Sequence, residues 1–395
     1  MTRFLFVVPP LVGHINPLVG VAAQLRDEGH EVAWVGATES VAGLLGADAL
    51  LLPRAERLPE DIVVHRPPEL RGFASLKFLW EEFIVPLAEH LVPLVHAAVR
   101  EFAPQVLVVD QQAIAGALVA ERLGLPWVTS ATTSAELVSP LAGMPKLESW
   151  LDELLGGLRA RHGDPAATGD LRFSPHLLLA FTTEALVGEI GRPTSFVGPS
   201  ITARPEGTGF PWDKLDPARK LVLVSLGTAN VDVGERFLSA AVEALAELSD
   251  RVQGVVVDPG GTVAPAGDVL VLPRVPQLAL LAHCSAVVSH GGHNTVCETL
   301  TNGVPLVVAP IRDDQPIVAQ QVVDAGAGVR LRFGRTTAQQ LRAAIESVVD
   351  DPAYAEGARR VQSSFATAGG AGAAARCLVD LANRSAATLI NGLNR

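Results

Sequence analysis

Apolar residues along the chain gather in short runs, each followed by a polar or glycine-containing turn and then by a stretch with helical spacing. Phe4-Leu5-Phe6-Val7-Val8 opens the series as a strand. Pro9 to Asn16 form a turn rich in Pro and Gly, and Pro17 to Glu28 read as a helix, with Pro17 suited to its first turn and Gly29 to its carboxyl cap. Glu31 to Gly36 give a second strand, so the chain begins with a βαβ unit; it lacks GxGxxG and therefore carries no dinucleotide fingerprint. Val106-Leu107-Val108-Val109 form another apolar strand ending at Asp110. In a parallel sheet Asp110 emerges on the same edge as the residues that follow the first strand, His14 among them.

The strand and helix rhythm breaks between Ile201 and Lys220, where Pro, Gly and charged residues cluster in ITARPEGTGFPWDKLDPARK, the mark of a linker. A second series follows: Leu221 to Ser225 with the turn Leu226-Gly227-Thr228, then Gly254 to Val257, Val269 to Leu272, Ala286 to Ser289 and Leu306 to Ala309. A helical segment from Ala373 to Leu381 and beyond closes the chain, and no solenoid-type repeat is present. The pattern predicts an α/β protein of two doubly wound domains. Between Leu76 and Val99 the residues Trp80, Phe83, Ile84, Leu87, Leu91 and Leu94 recur at helical spacing, and Pro86 and Pro93 interrupt them. Core packing is the default reading of that stripe; the functional alternative is the lining of an apolar ligand pocket.

Composition narrows the class. With 395 residues, 48% hydrophobic and 18% charged, the chain can bury two sizeable cores. A net charge of −11 argues against nucleic acid or an anionic membrane as partner, so positive charge for an anionic ligand must be local. Cys284, Cys297 and Cys377 form an odd, scattered set without CxxC, which argues against a disulfide framework or a zinc site, fits a reducing cytoplasm, and leaves three buried or inert thiols. The amino terminus runs straight into the βαβ pattern rather than into a signal peptide, and no uninterrupted apolar stretch of about 18 residues predicts a membrane-spanning helix.

The stretch from Arg274 to Gln315 carries the most chemistry. After the run Ala286 to Ser289, His290, Gly291 and Gly292 break the pattern, and Asn294 to Leu300 resume a helical one. Strand, glycine turn, helix is a phosphate-binding order: the glycines let the backbone approach a ligand, and the N–H groups and positive dipole of the helix face an anion. His290, His293, Asn294 and Thr295 add side-chain donors. Thr295 and Glu298 also fit a capping box that merely satisfies a helix start, and the local sequence leaves both readings open. Past the helix come Asn302-Gly303-Val304-Pro305, the strand from Leu306, and the polar cluster Arg312-Asp313-Asp314-Gln315 just beyond that strand's carboxyl end, the edge where ligands sit in open α/β sheets. No Asp-x-Asp pair appears, so no metal is expected.

This segment resembles the donor-binding motif of the family 1 glycosyltransferases, which include plant secondary-product and bacterial antibiotic or macrolide enzymes. The matching elements are Pro276-Gln277, His290-Gly291-Gly292-His293-Asn294-Thr295, Glu298, Gly303-Val304-Pro305 and Asp314-Gln315, in order and at family-like spacing. Gly13-His14-Ile15-Asn16-Pro17 is similar to the loop that holds the family's catalytic base. The resemblance implies two Rossmann-like domains facing across a cleft, the GT-B arrangement, with residues 1–200 binding the acceptor, 201–220 as linker, 221–372 binding the nucleotide sugar and 373–395 packing back on the first domain. It implies a nucleoside diphosphate sugar, UDP- or dTDP-linked, as co-substrate, with no cofactor and no metal.

Carried over by position, Gln277 and Glu298 hydrogen-bond the ribose, His290, Asn294 and Thr295 the diphosphate, with Gly292 admitting it and His293 beside it, and Asp314 with Gln315 the sugar hydroxyls. Gly227 and Thr228 face the donor phosphates. Arg274, where plant members carry a tryptophan, offers a guanidinium plane to the base next to Val275. His14 is the expected general base, since histidine titrates near pH 6.5, and Asp110 the residue that orients it. Trp80, Phe83 and Ile84 become candidate acceptor contacts. The expected activity is inverting, metal-independent transfer of a sugar to a hydroxyl of an apolar natural-product aglycone, such as a polyketide or polyphenol, in the cytoplasm of a bacterium, by a monomer or homodimer without nucleic-acid or integral-membrane contacts. A nucleotide-sugar 2-epimerase of the same fold and a non-catalytic auxiliary relative are the alternatives.

Overall fold

Strands whose side chains are apolar on both faces belong in parallel sheets covered by helices on each side, and the computed structural model contains two such sheets. It describes residues 1–62, 67, 70, 72–138, 141, 143–201, 209–227 and 233–393. The first sheet is built from β1 (Arg3–Val7), β2 (Glu31–Val35), β3 (Leu50–Leu51), β4 (Val106–Asp110), β5 (Trp127–Ala131), β6 (Leu178–Ala180) and β7 (Ser195–Phe196), in the order β3-β2-β1-β4-β5-β6-β7. The second comprises β8 (Lys220–Ser225), β9 (Val252–Val257), β10 (Leu270–Leu272), β11 (Cys284–Ser289), β12 (Leu306–Val308) and β13 (Gly328–Arg330), in the order β10-β9-β8-β11-β12-β13. Neighbouring strands run parallel throughout. The α/β class read from the sequence is the one observed.

Each sheet reverses its strand order once, between β1 and β4 in the first and between β8 and β11 in the second. Such switch points leave a crevice at the strands' carboxyl ends, because the connecting helices depart to opposite faces. The chain divides into two units: Met1–Phe181, Ile190–Thr202 and Ala368–Arg395 form one, Thr182–Glu189 and Ala203–Thr367 the other.

The first unit has a core on each face of its sheet. Phe4, Phe6 and Val8 pack with Ile15, Leu18 and Leu25 on one side; Leu5, Val7, Leu107 and Val109 pack with Leu87, Leu91 and Val95 on the other. The last helix, Gly370–Leu393, belongs to the first of these layers, where Ala374, Ala375, Leu378 and Leu381 are buried against the helix Val12–Asp27. Each leucine among these contributes about 1.5–3 kcal/mol when fully buried. The second unit repeats the plan, with Val222, Val224 and Val288 facing Phe237, Leu341 and Ile345.

Two elements depart from the sequence expectation. The first helix spans Val12–Asp27, so Pro17 lies inside it rather than in its first turn, and His14 sits on the opening turn instead of in a loop. A proline removes one backbone hydrogen bond but is tolerated near a helix start, where the burial of Ile15, Pro17 and Leu18 holds the preceding residues helical. Pro86 and Pro93 likewise do not break their segment. A helix Gly72–Phe78 passes into a π-helical turn, Leu79–Ile84, and then into Val85–Phe102, with Pro86 at the start of the last piece and Pro93 within it. The widened turn absorbs the register change ahead of Pro86. By length and composition alone this run could cross a membrane, although Lys77, Glu81, Glu82 and Glu89 interrupt its apolar residues and half of its most apolar window is buried inside the unit. The helix before Gly29 (φ 83°) ends as expected, with Gly29 and His30 donating back to the carbonyls of Arg26 and Leu25.

Candidate functional site

At the switch point of the first sheet the parallel register sets Val7 beside Val109 and Asp110 beside Ser130. His14, on the first turn after β1, therefore meets Asp110 at the end of β4. Its Nδ1 lies 2.9 Å from Asp110 Oδ1. The carboxylate is fully buried and His14 keeps 15% of its side-chain surface exposed, so the pair has a closed side and an open one. Asp110 also accepts hydrogen bonds from the Gln112 backbone N–H at 2.9 Å and from the Thr132 hydroxyl at 2.8 Å. A buried charge is tolerated when its lone pairs are filled in this way.

Thr132, one residue past β5, was not legible as a functional residue in the sequence. Its Oγ1 stands 2.9 Å from His14 Nδ1 as well as bonding Asp110, so the three side chains form a closed triangle. Because the hydroxyl proton goes to the carboxylate, Oγ1 can only accept from His14, and both neighbours of Nδ1 require a proton there. With Nδ1–H committed, the basic lone pair of the ring is on Nε2. The one usable signal was positional: Asp110 ends β4, Thr132 directly follows β5, and His14 opens the helix after β1, three adjacent strands.

Trp80, Phe83 and Ile84 lie in the π-helical turn and are 2%, 6% and 2% exposed, packed in the same cluster as Leu5, Val7 and Val109. In this state they act as core residues.

The second unit gathers the other predicted residues at its own switch point. Gly227 follows β8 with φ 69°, and His290-Gly291-Gly292 follow β11 with Gly291 at φ 84°. Here glycine is required by contact as well as by backbone angle. A Cβ on Gly227 would stand 2.8 Å from His290 Cε1, and one on Gly292 would collide with Nε2 of the same ring. The two glycines thus form a slot for the imidazole. Burial pushes the His290 pKa down to about 4, with the Ser225 carbonyl opposing and the nearby Arg312 adding to the fall. The ring is neutral at pH 7 and offers dipoles rather than charge. Ser289 Oγ accepts from Gly291 N–H at 3.2 Å and braces the turn.

The helix His293–Thr301 starts at Gly292, which serves as N-cap with extended backbone (ψ 133°) and no side-chain cap. The capping-box alternative for Thr295 and Glu298 is therefore absent: Thr295 lies within the first turn, not ahead of it. Asn294 and Thr295 are half-buried at this open helix start, whereas His293 is buried and reaches Cys297 Sγ at 3.5 Å. Glu298 is buried and accepts a 2.6 Å hydrogen bond from Gln277 Nε2, which couples the two residues assigned to a ribose. Arg274 is exposed and Val275 half-buried just before them.

Past β12, Gln315 begins the helix Gln315–Asp324 with Asp314 as N-cap. The Gln315 carbonyl oxygen accepts from the Ile311 and Arg312 backbone N–H groups at 2.9 and 3.1 Å, so the loop fixes its side chain and leaves Nε2 as the group with donors to offer. Thr228 lies outside the described residues. Among the described residues no group of three His, Cys, Asp or Glu side chains is arranged to hold a metal ion. Burial raises the Cys284 thiol to about 12 and lifts Cys297 and Cys377 as well, so all three stay protonated.

Residues 205–365 match the family model described as UDP-glucoronosyl and UDP-glucosyl transferase. Over 92% of its length the chain is 30% identical to 4'-demethylrebeccamycin synthase of Lentzea aerocolonigenes, covering 96% of that protein. The chain belongs to the family 1 glycosyltransferases. Among solved structures, this glycosyltransferase is similar to the glycotransferase of kitacinnamycin, with a TM-score of 0.77 and 26% identity over 96% of this chain and 98% of that one. The calicheamicin glycosyltransferase CalG4 shares its fold, with a TM-score of 0.78 at 23% identity over 97% and 99%. The fold is of the GT-B class.

Proposed function

We propose that this glycosyltransferase moves a sugar, with inversion and without a metal ion, from a UDP- or dTDP-linked donor to a hydroxyl group of an apolar natural-product aglycone. The observation that carries the reading is the His14–Asp110–Thr132 triangle. A hydroxyl acceptor must lose its proton as its oxygen attacks the anomeric carbon, and a neutral imidazole with Nδ1–H held by a buried carboxylate is equipped to take that proton on Nε2. The C–O bond to the nucleotide breaks as the new one forms on the opposite face, the electron pair leaves with the diphosphate, and an α-linked donor gives a β-glycoside.

The second unit supplies what the leaving group needs. A helix start without a side-chain cap presents backbone N–H groups. Asn294 and Thr295 stand on that turn, and the glycine slot seats the neutral His290 ring beside it. Gln277 and Glu298 read the ribose, and Asp314 with the Gln315 amide reads sugar hydroxyls. Support for a natural-product acceptor comes from the names of relatives: a demethylrebeccamycin synthase and a kitacinnamycin glycotransferase cover nearly the whole chain.

Purified protein is incubated without metal, separately with UDP-glucose and dTDP-glucose, against a panel of phenolic and macrolide acceptors, and glycosides are followed by mass spectrometry. Product with wild type that falls about 10²- to 10⁴-fold in His14→Ala, with donor binding kept, is expected. Near-normal turnover in that variant rejects His14 as the base. Tight donor binding with hydrolysis or epimerisation and no glycoside would overturn the transferase reading.

A further inference from the structure

One residue beyond Asp110 the chain buries a polar group that no described residue satisfies. Gln111 is 4% exposed, and both Nε2 and Oε1 of its carboxamide lack a hydrogen-bond partner among the described residues. The neighbouring Gln112 Oε1 and Ser130 Oγ are unpaired as well. Buried amides are paired in the great majority of cases, because an unmet donor or acceptor forfeits its hydration without return. Ser130 pairs with Asp110 and shares its face, whereas the unmet carboxamide at the strand end marks a place where a ligand completes the hydrogen bonding.

Position links this place to the reaction. The Gln111 backbone N–H still bonds the Ser130 carbonyl at 3.3 Å, so the strand path continues past Asp110. Side chains alternate along such a path. Asp110 lies on the face of Val106 and Val108, the face of the helix that carries His14, and Gln111 therefore falls on the face of Leu107 and Val109, whose core cluster contains Trp80 and Phe83 of the π-helical turn. The α-carbons of Asp110 and Gln111 are about 3.8 Å apart. A molecule whose hydroxyl reaches His14 has the rest of its framework within range of this carboxamide.

We infer that Gln111 is a specificity-determining residue, whose carboxamide donates to and accepts from a second polar group of the acceptor while the first polar group, the hydroxyl to be glycosylated, meets His14. The ligand class is an apolar framework bearing at least two polar groups, one of them a donor and acceptor such as a hydroxyl or an amide edge. The inference rests on the transferase reading above.

Gln111→Met keeps the length and removes both polar atoms; Gln111→Glu keeps the shape and removes the donor. Both are assayed against wild type with each phenolic acceptor of the panel that wild type glycosylates, and with its analogue lacking one non-reacting hydroxyl. The expected result is a fall of about 10- to 100-fold in kcat/KM for the full acceptor in both variants, with donor KM unchanged and a smaller fall for the analogue. The ligand-free melting temperature of Gln111→Met should equal or exceed that of wild type, since an unmet polar group has been removed. Unchanged acceptor kcat/KM in both variants overturns the inference while leaving the transferase reading intact. A melting temperature lowered by several degrees in ligand-free Gln111→Met also overturns it, because the carboxamide then serves the fold. Failure of the transferase reading shows separately, as the absence of His14-dependent product from wild type.

Discussion

Replacing Asp110 by Asn tests how much of the catalysis depends on a negative charge behind the base. The Gln112 N–H fixes which atom of the new carboxamide lies at the Oδ1 position: it needs an acceptor, so the oxygen stays there and the Nδ2 amide turns toward Thr132. His14 Nδ1–H can then still donate to Oδ1, and the tautomer survives while the charge is lost. The contact is 2.9 Å between N and O, which sets the centres of charge about 4 Å apart once the ring is protonated, and at an effective dielectric of about 20 the attraction is about 4 kcal/mol. That term exists only when His14 carries the proton, so its loss falls on the transition state. A decrease in kcat of about 10²- to 10³-fold is expected, measured as initial rates with saturating donor and acceptor and product quantified by mass spectrometry, with donor affinity by calorimetry unchanged. Asp110→Asn within about threefold of wild-type kcat would refute the electrostatic argument and leave Asp110 as a residue that orients His14 by hydrogen bonding alone.

Thr132→Val removes one donor to Asp110 and one acceptor from His14; kcat should fall about tenfold and the melting temperature should drop, with an effect that is less than additive with Asp110→Asn in a double-mutant cycle. For His290 the sign runs toward acid lability: the unfolded chain binds its proton near pH 6.5 and the folded one only near pH 4, so stability is full above pH 6.5 and declines as pH falls through that window, by about 3 kcal/mol at the lower end. Urea denaturation at pH 7 and pH 4.5 should show a smaller difference in His290→Asn than in wild type, and an equal difference contradicts the assignment. Gly292→Ala should weaken donor binding by more than tenfold and lower stability through the clash with His290, as read by calorimetry and thermal melting. The three thiols should resist iodoacetamide at pH 8 in the folded protein and react after denaturation; rapid labelling of the native chain would show their protonation to be wrongly assigned.

The clustering of the proposed donor residues was legible because the motif is contiguous: strand, glycines and helix start are neighbours in sequence, and the chemistry of each can be read in place. His14 and Asp110 are 96 residues apart, and their meeting could be anticipated only because a parallel sheet brings strand ends to one edge. Thr132 shares that edge, but TSATTSA offers several equivalent hydroxyls, and only the register of β5 against β4 selects the one that closes the triangle. Gln111 was invisible for a different reason, since a glutamine after a strand looks like any surface residue until its burial is known. The start of the first helix was misread because Pro17 is an ordinary first-turn residue, and the burial of Ile15 and Leu18, a tertiary effect, outweighs that local preference.

The closing helix has a bearing on how the molecule is made. Residues from Ala368 onward belong to the unit formed by the first 181, and Ala374, Ala375, Leu378 and Leu381 fill a core with Phe4, Ile15 and Leu18. During synthesis the second unit therefore has all its residues while the first still lacks part of one hydrophobic layer. The half of the chain that leaves the ribosome first is the half that finishes folding last, and a stop codon after residue 368 would leave the second unit whole while exposing Phe4, Ile15 and Leu18 in the layer of the helix that carries His14.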